Sequence, residues 1–253
     1  MARYFLELAY KGTAYSGFQV QDNAQTIQSE VEKALQILFR QPYELTGSSR
    51  TDAGVHANQN YFHFDTDQAI IEKHVYNLNA ILPQDIVVKG IYPVSNTSHC
   101  RFDAIAREYK YFIYGKKDPF LKESAWLYPY PLNLDLLQQA AQILREYRNF
   151  TSFSKRNTQV NNYQCTLELS EWANKGSLLT YTVRGNRFLR GMVRGLVGTM
   201  LKLGRGQTSM AEFREIIEAL DCTKADFSTP AQGLFLNRVM YKDTLNPFLS
   251  GAD

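Results

Sequence analysis

Residues 47–57, GSSRTDAGVHA, crowd Gly47, Ser48, Ser49, Ala53, Gly54 and Ala57 around three side chains with chemistry to offer: Arg50, Asp52 and His56. Small residues let a backbone turn tightly and let a large ligand approach it closely. An aspartate on such a turn, two positions after an arginine, could act as a nucleophile or a base held ionised by the guanidinium. An Asx turn with a surface ion pair would use the same residues, so local chemistry leaves both readings open.

A second group lies in residues 184–205, which carry Arg184, Arg187, Arg190, Arg194, Lys202 and Arg205 and no acidic residue. A helix over 188–203 would set Arg187, Arg190 and Arg194 on one face by their i, i+3, i+7 spacing. Leu189, Met192, Val193, Leu196, Val197 and Met200 would form its apolar side. A solvated helix face usually mixes Glu with Lys for i, i+4 pairing. Unpaired arginines suit a phosphate backbone, which a guanidinium grips through two parallel hydrogen bonds. Plain solvation of a charge run is the competing reading.

The third group is residues 107–114, REYKYFIY. On a strand Tyr109, Tyr111 and Ile113 point one way, and Glu108, Lys110, Phe112 and Tyr114 the other. Aromatics interleaved with Arg101, Arg107 and Lys110 suit a base lifted from its stack, while core packing competes as an explanation for each ring. The four histidines, His56, His63, His74 and His99, show no metal-ligand spacing with acidic residues. GxGxxG, GxxxxGK[ST] and GxSxG are all missing from the sequence. Nucleotide cofactors and a serine-hydrolase elbow are therefore unsupported.

These groups need elements to hold them. Alternation predicts a strand over 3–10. Ile27, Val31, Ala34, Leu35 and Leu38 share a face of a helix over 26–39, with Thr26 as N-cap and Pro42 beyond its end. Strands are expected over 43–46, 60–64, 86–92 and 107–114, and a helix over 71–82 closed by Pro83. After the proline-rich stretch 128–132 come a helix over 134–144 and strands over 163–172 and 178–184. Helices over 188–203 and 210–220 and a strand over 234–241 complete the chain. Strands mixed with long helices in both halves indicate an α+β fold, divided as 1–115 and 116–253.

The 253 residues are 44% hydrophobic, ample for one large core or two small ones. A net charge of +3 is a mild sign of a polyanionic partner. Cys100, Cys165 and Cys222 lie far apart, an odd count without CxxC, which argues against a disulfide framework. The opening MARYFLELAY lacks the basic start and long apolar run of a signal peptide. No stretch approaches the ~20 apolar residues of a membrane span. A cytoplasmic protein away from membranes is expected.

In order and over nearly the whole chain, the segments resemble the tRNA pseudouridine synthase A family. The likeness starts at LAYKGTAYSGFQVQ (8–21), where members usually read Y-D-G-x-x-Y-x-G-W-Q-x-Q, and continues through TIQSEVEKAL (26–35). Its most specific element is SRTDAGVHA (49–57), close to the family signature G-R-T-D-A-G-V-H. NAILPQDIVV (79–88), RFDAIAREYKYFIY (101–114), FTSFSK (150–155), FLRGMVRGLVGTML (188–201) and AQGLFL (231–236) follow. Ser49 stands in place of the usual Gly, Phe18 in place of Trp, and Lys11 where Asp is common.

The resemblance implies two α/β halves with mixed, mostly antiparallel sheets flanked by helices and a basic cleft between them. It implies an isomerase that converts uridine to pseudouridine at positions 38, 39 and 40 of the tRNA anticodon stem-loop, working as a homodimer without metal or organic cofactor. Carried over residue by residue, Asp52 is the catalytic aspartate and Arg50 its ion-pair partner and guide for the flipped nucleotide. Tyr109 stacks on the target uracil, Arg194 pairs with Asp52, Leu234 packs beside the base, and Arg187 and Arg190 meet the tRNA backbone. A tRNA chaperone that keeps the fold without the chemistry is the competing class. An intact RTDAGVH argues against it.

Overall fold

Alternating apolar residues make Ala2–Tyr10 a strand (β1) whose Phe5, Leu6 and Leu8 are fully buried. The computed structural model describes residues 1–156, 160 and 162–242. These separate into two compact units, one of Met1–Ala106 together with the chain from Leu236, the other of Arg107–Phe235.

In the first unit β1 lies between two antiparallel partners, His56–Thr66 (β3) and Ile86–Val94 (β4), and the short Thr46–Gly47 (β2) pairs with β3. Helices Ile27–Phe39 (α1) and Lys73–Ile81 (α2) pack against each other, and α2 lies on β4. Thr26 caps α1 as expected. Its side chain accepts from the Ser29 N–H, and the Ser29 hydroxyl accepts from the Thr26 N–H. Removing such a cap costs about 1 kcal/mol. Ile27, Val31, Ala34 and Leu35 bury the apolar face of α1, and Phe62 and Phe64 are buried on β3.

In the second unit Ala104–Tyr114 (β5, from Arg107 onward), Leu178–Gly185 (β8) and Leu167–Lys175 (β7) form an antiparallel run with β8 in the middle. Trp126–Leu127 (β6) adds to β5 in parallel. Leu134–Leu144 (α3) covers β7 and packs on Met192–Gly204 (α4), which also meets Met210–Glu218 (α5). Leu137, Phe150, Phe153, Leu196, Met200 and Phe213 fill this core. Two strands pass covalently from one unit to the other: β5, and Leu234–Tyr241 (β9).

The α+β reading holds, with mixed, mostly antiparallel strands flanked by helices. Three expected strands do not match. The strand foreseen over 43–46 pairs only at its end. That over 60–64 begins earlier, at His56, because Ala57 is already opposite Tyr10 of β1. The strand expected from 163 begins at Leu167, after an isolated bridge between Asn149 and Gln164.

Candidate active site

The loop joining β2 to β3 carries Arg50 and Asp52, and hydrogen bonds hold it from several sides. The Ser48 N–H donates to the Tyr61 carbonyl at 2.8 Å, and the Phe18 N–H to the Thr51 carbonyl at 3.1 Å. The Val55 N–H returns to the Asp52 carbonyl at 3.1 Å, closing a tight turn over Asp52, Ala53 and Gly54. Where β3 begins, the Gly12 N–H donates to His56 Nδ1 at 3.0 Å, so that nitrogen is the acceptor and the ring proton belongs on Nε2. A Cβ at Gly12 would stand 2.0 Å from the Val55 carbonyl oxygen, so only glycine permits this approach.

Side chains complete the support. Asn60, with no exposed surface, accepts from the Ser48 hydroxyl at 2.7 Å and from the Tyr61 N–H at 2.9 Å. Its amide nitrogen donates to the Ser49 carbonyl at 2.9 Å and to the Tyr10 hydroxyl at 3.2 Å. The Tyr10 hydroxyl in turn shares a 2.8 Å hydrogen bond with Thr51 Oγ1. The result is a half-buried Asp52 between buried Thr51 and exposed Ala53, with Arg50 exposed. Among the described residues no ion pair joins Arg50 to Asp52, unlike the pairing expected for them.

The second unit holds the other candidates. Tyr109 is 9% exposed, with its ring edge-on to Phe188 at 5.0 Å, and Leu234 at the start of β9 is 7% exposed. Arg194 is half-buried on the first turn of α4. Its Nε donates to the Thr229 carbonyl at 2.7 Å, and the Thr229 hydroxyl donates to the Arg194 carbonyl at 2.7 Å. This exchange fixes the arginine's stem against residues 228–230. Arg194 also lies close enough to Tyr111 for its charge to act on that buried hydroxyl, which donates to the Pro230 carbonyl at 2.8 Å.

The arginine-rich helix face is corrected. Helix α4 starts at Met192, after Gly191 at φ +73°, a left-handed conformation that L side chains rarely adopt. Arg187 and Arg190 therefore precede the helix and do not form an i, i+3, i+7 row with Arg194. Nor are all the cations of residues 184–205 unpaired. Arg184 faces Glu108 at 3.6 Å, Lys202 faces Asp226 at 3.2 Å, and the Arg205 guanidinium lies over the Tyr130 ring at 4.0 Å. Among the described residues no carboxylate pairs with Arg187, which is half-buried, or Arg190, which is exposed.

Sequence reasoning missed Tyr10, Asn60 and Thr229 altogether. Asn60 had one available signal: a carboxamide in the middle of an aromatic strand, QNYFHF, must find partners if it is buried. Among the described residues there is no group of three or more His, Cys, Asp or Glu side chains that could hold a metal ion. No described helix is long and apolar enough to cross a membrane.

Comparison with known proteins points to one family. A family model described as tRNA pseudouridine synthase matches residues 8–103 and 140–242, which include every candidate named above except Tyr109. The tRNA pseudouridine synthase A of Parabacteroides distasonis is 43% identical over 249 residues, 98% of this chain and 99% of its own. That of Azobacteroides pseudotrichonymphae is 41% identical over 242 residues, 95% and 97% of the two chains. A more distant relative of the same name, from Staphylococcus aureus, is 37% identical over 240 residues, 94% and 91% of the two chains. With a family model matching most of the chain and relatives aligned almost end to end, the chain belongs to the tRNA pseudouridine synthase A family.

Proposed function

We propose that this protein isomerises uridine to pseudouridine at positions 38, 39 and 40 of the tRNA anticodon stem-loop, with Asp52 as its catalytic residue. The observation that carries the reading is a half-buried carboxylate on a loop of small residues whose backbone is held in place on both flanks. The reaction breaks the N1–C1′ bond, turns the uracil and rejoins it through C5. The C5 hydrogen leaves as a proton and N1 gains one, so nothing is oxidised or hydrolysed. Three routes are open to Asp52: attack at C1′, attack at C6, or removal of the C2′ proton.

The target must first leave its stack, at a cost of a few kcal/mol that stacking and phosphate contacts offset. Arg50, Arg194, Tyr109 and Leu234 bind the target nucleotide in this proposal, and Arg187 and Arg190 bind the tRNA backbone. That no carboxylate pairs with Arg187 or Arg190 among the described residues supports their assignment. Tyr109 exposes little of its ring, so stacking on it requires neighbours such as Phe188 to move aside. The apolar character of Tyr109 and Leu234 suits the exclusion of water from a loosened sugar. The protein works in the cytoplasm as a homodimer, with one tRNA touching both subunits and with no metal or organic cofactor.

The test uses unmodified tRNA transcript tritiated at uracil C5. Wild-type protein should release the label to water without added metal or nucleotide, because joining the sugar to C5 displaces it. Release by wild type and not by Asp52→Ala supports the proposal. Retained label with tRNA still bound would overturn it in favour of a binding protein, and chain breaks in the RNA would point to a hydrolase.

A further inference from the structure

We infer that Tyr10 and Asn60 are positioning residues that set the Asp52 loop for catalysis, rather than members of an ordinary core. This rests on the catalytic reading of Asp52. Asn60 commits its full hydrogen-bonding capacity to this support. Its carbonyl oxygen accepts twice, from Ser48 and Tyr61, and its amide donates twice, to Ser49 and Tyr10. Three of the four bonds go to the loop or to the residue that holds it. Tyr10 carries the support onward to Thr51, the residue directly before Asp52, from which the chain enters the turn closed by Val55.

Burial makes the arrangement specific. Tyr10 is 5%, Asn60 0% and Thr51 8% exposed, so moving the loop away would break the Ser48–Asn60, Asn60–Ser49 and Tyr10–Thr51 bonds among buried polar groups. An unpaired buried polar group is costly, and one pose of the loop satisfies all of these groups together. The backbone on either side is held independently, by Phe18 on the Thr51 carbonyl and by Tyr61 on the Ser48 N–H. The strand pair β1–β3 that carries Tyr10 and Asn60 thus transmits its rigidity to the catalytic carboxylate. A site built this way holds a reacting group to within a fraction of an ångström, and small misplacements there cost rate rather than affinity.

Two variants that each remove a single polar function test the idea: Tyr10→Phe and Thr51→Val. Each should lower kcat about tenfold to a hundredfold while KM for tRNA stays within about twofold. The double variant should lose no more than the worse single one, because both break the same bond. Amide exchange at Val55, read without any substrate, should be faster in both. Unchanged kcat, a loss confined to KM, or additive losses would overturn the inference. The exchange readout keeps it apart from the proposed reaction: faster Val55 exchange in the variants of a protein whose wild type releases no tritium would sink the catalytic reading and leave the loop support standing. Unaltered exchange would sink the positioning role whatever the activity. Asn60→Asp, nearly isosteric but unable to donate to Ser49 and Tyr10, should give the same pattern.

Discussion

The Asp52 loop and the arginine segment 184–205 both join regular elements and both were singled out by residue type, yet they are built on opposite principles. At the loop, buried Ser48 and Thr51 are tied to Asn60 of β3 and Tyr10 of β1, and the carboxylate sits half-buried beside that support. In the arginine segment, β8 ends, the chain turns through Gly191, and Arg187 and Arg190 leave the backbone before any helix begins. One region uses its polar groups to fix a position. The other carries Arg187 and Arg190 with no carboxylate partner among the described residues. Chemistry at one atom needs the first arrangement, and grip on a long polyanion is served by the second.

The sharpest break in this comparison is Asp52→Asn, which keeps the shape and removes the charge. Turnover should fall by about 10⁴-fold or more, while tRNA affinity measured by filter binding stays within about threefold. A comparable loss in binding would mean that the loop is part of the grip.

Next in size is Gly12→Ala. Its Cβ would press on the Val55 carbonyl oxygen, a backbone atom that cannot turn away, so stability should drop by about 1–3 kcal/mol in denaturant titration, with kcat falling further than the change in KM. Gly115→Ala, with nothing within 4 Å of its new methyl group, is the matched control and should be close to neutral. Equal effects at both positions would remove the case for a tightly held loop.

The arginine side is tested by Arg187→Gln and Arg190→Gln. Each should leave kcat at saturating tRNA nearly unchanged and weaken binding several-fold. The slope of log affinity against log salt should fall by about one unit for each phosphate no longer neutralised. An unaltered slope would return these residues to plain solvation.

The smallest effect concerns protons. Burial, with the charges of His99 and Arg3 nearby, lowers the His63 pKa to about 4, against opposing pulls from Asp65 and Asp103. The unfolded chain therefore binds more protons than the folded one between about pH 6.5 and 4. Stability from this residue is complete above that window and is lost as the pH falls through it. His63 lies on β3, the strand that leaves the Asp52 loop, whereas arginines stay charged throughout. Melting temperature should decline on acidification, less steeply in His63→Gln, while the salt slope of tRNA binding shows no matching change. An identical decline in the variant would assign it to other groups.

Much of the fold could be read locally. The periodicity over 134–144 and 234–241 matches α3 and β9 to the residue, and Thr26 caps α1, because amphipathic spacing and capping chemistry act within a few residues of chain. The start of β3 at His56 was not legible, since it depends on Tyr10 lying opposite Ala57. Nor was the start of α4. Apolar spacing runs back through Leu189, but the left-handed Gly191 interrupts it, and Lys155 packs against that glycine from a distant part of the chain.

By itself, the sequence determined which residues carry chemical potential, where most elements lie, and the family to which the chain belongs, because a motif such as RTDAGVH is written in consecutive positions. The tertiary structure alone decided that Tyr10, Thr51 and Asn60, up to fifty residues apart, meet in one hydrogen-bonded group. It also decided that Arg184 and Lys202 are taken by Glu108 and Asp226, while among the described residues no carboxylate pairs with Arg187 or Arg190. It returned the chain from Leu236 to the first unit as well. Each of these depends on strands meeting across long loops, where partner choice is set by burial and by the satisfaction of polar groups over the whole core. No local pattern encodes that.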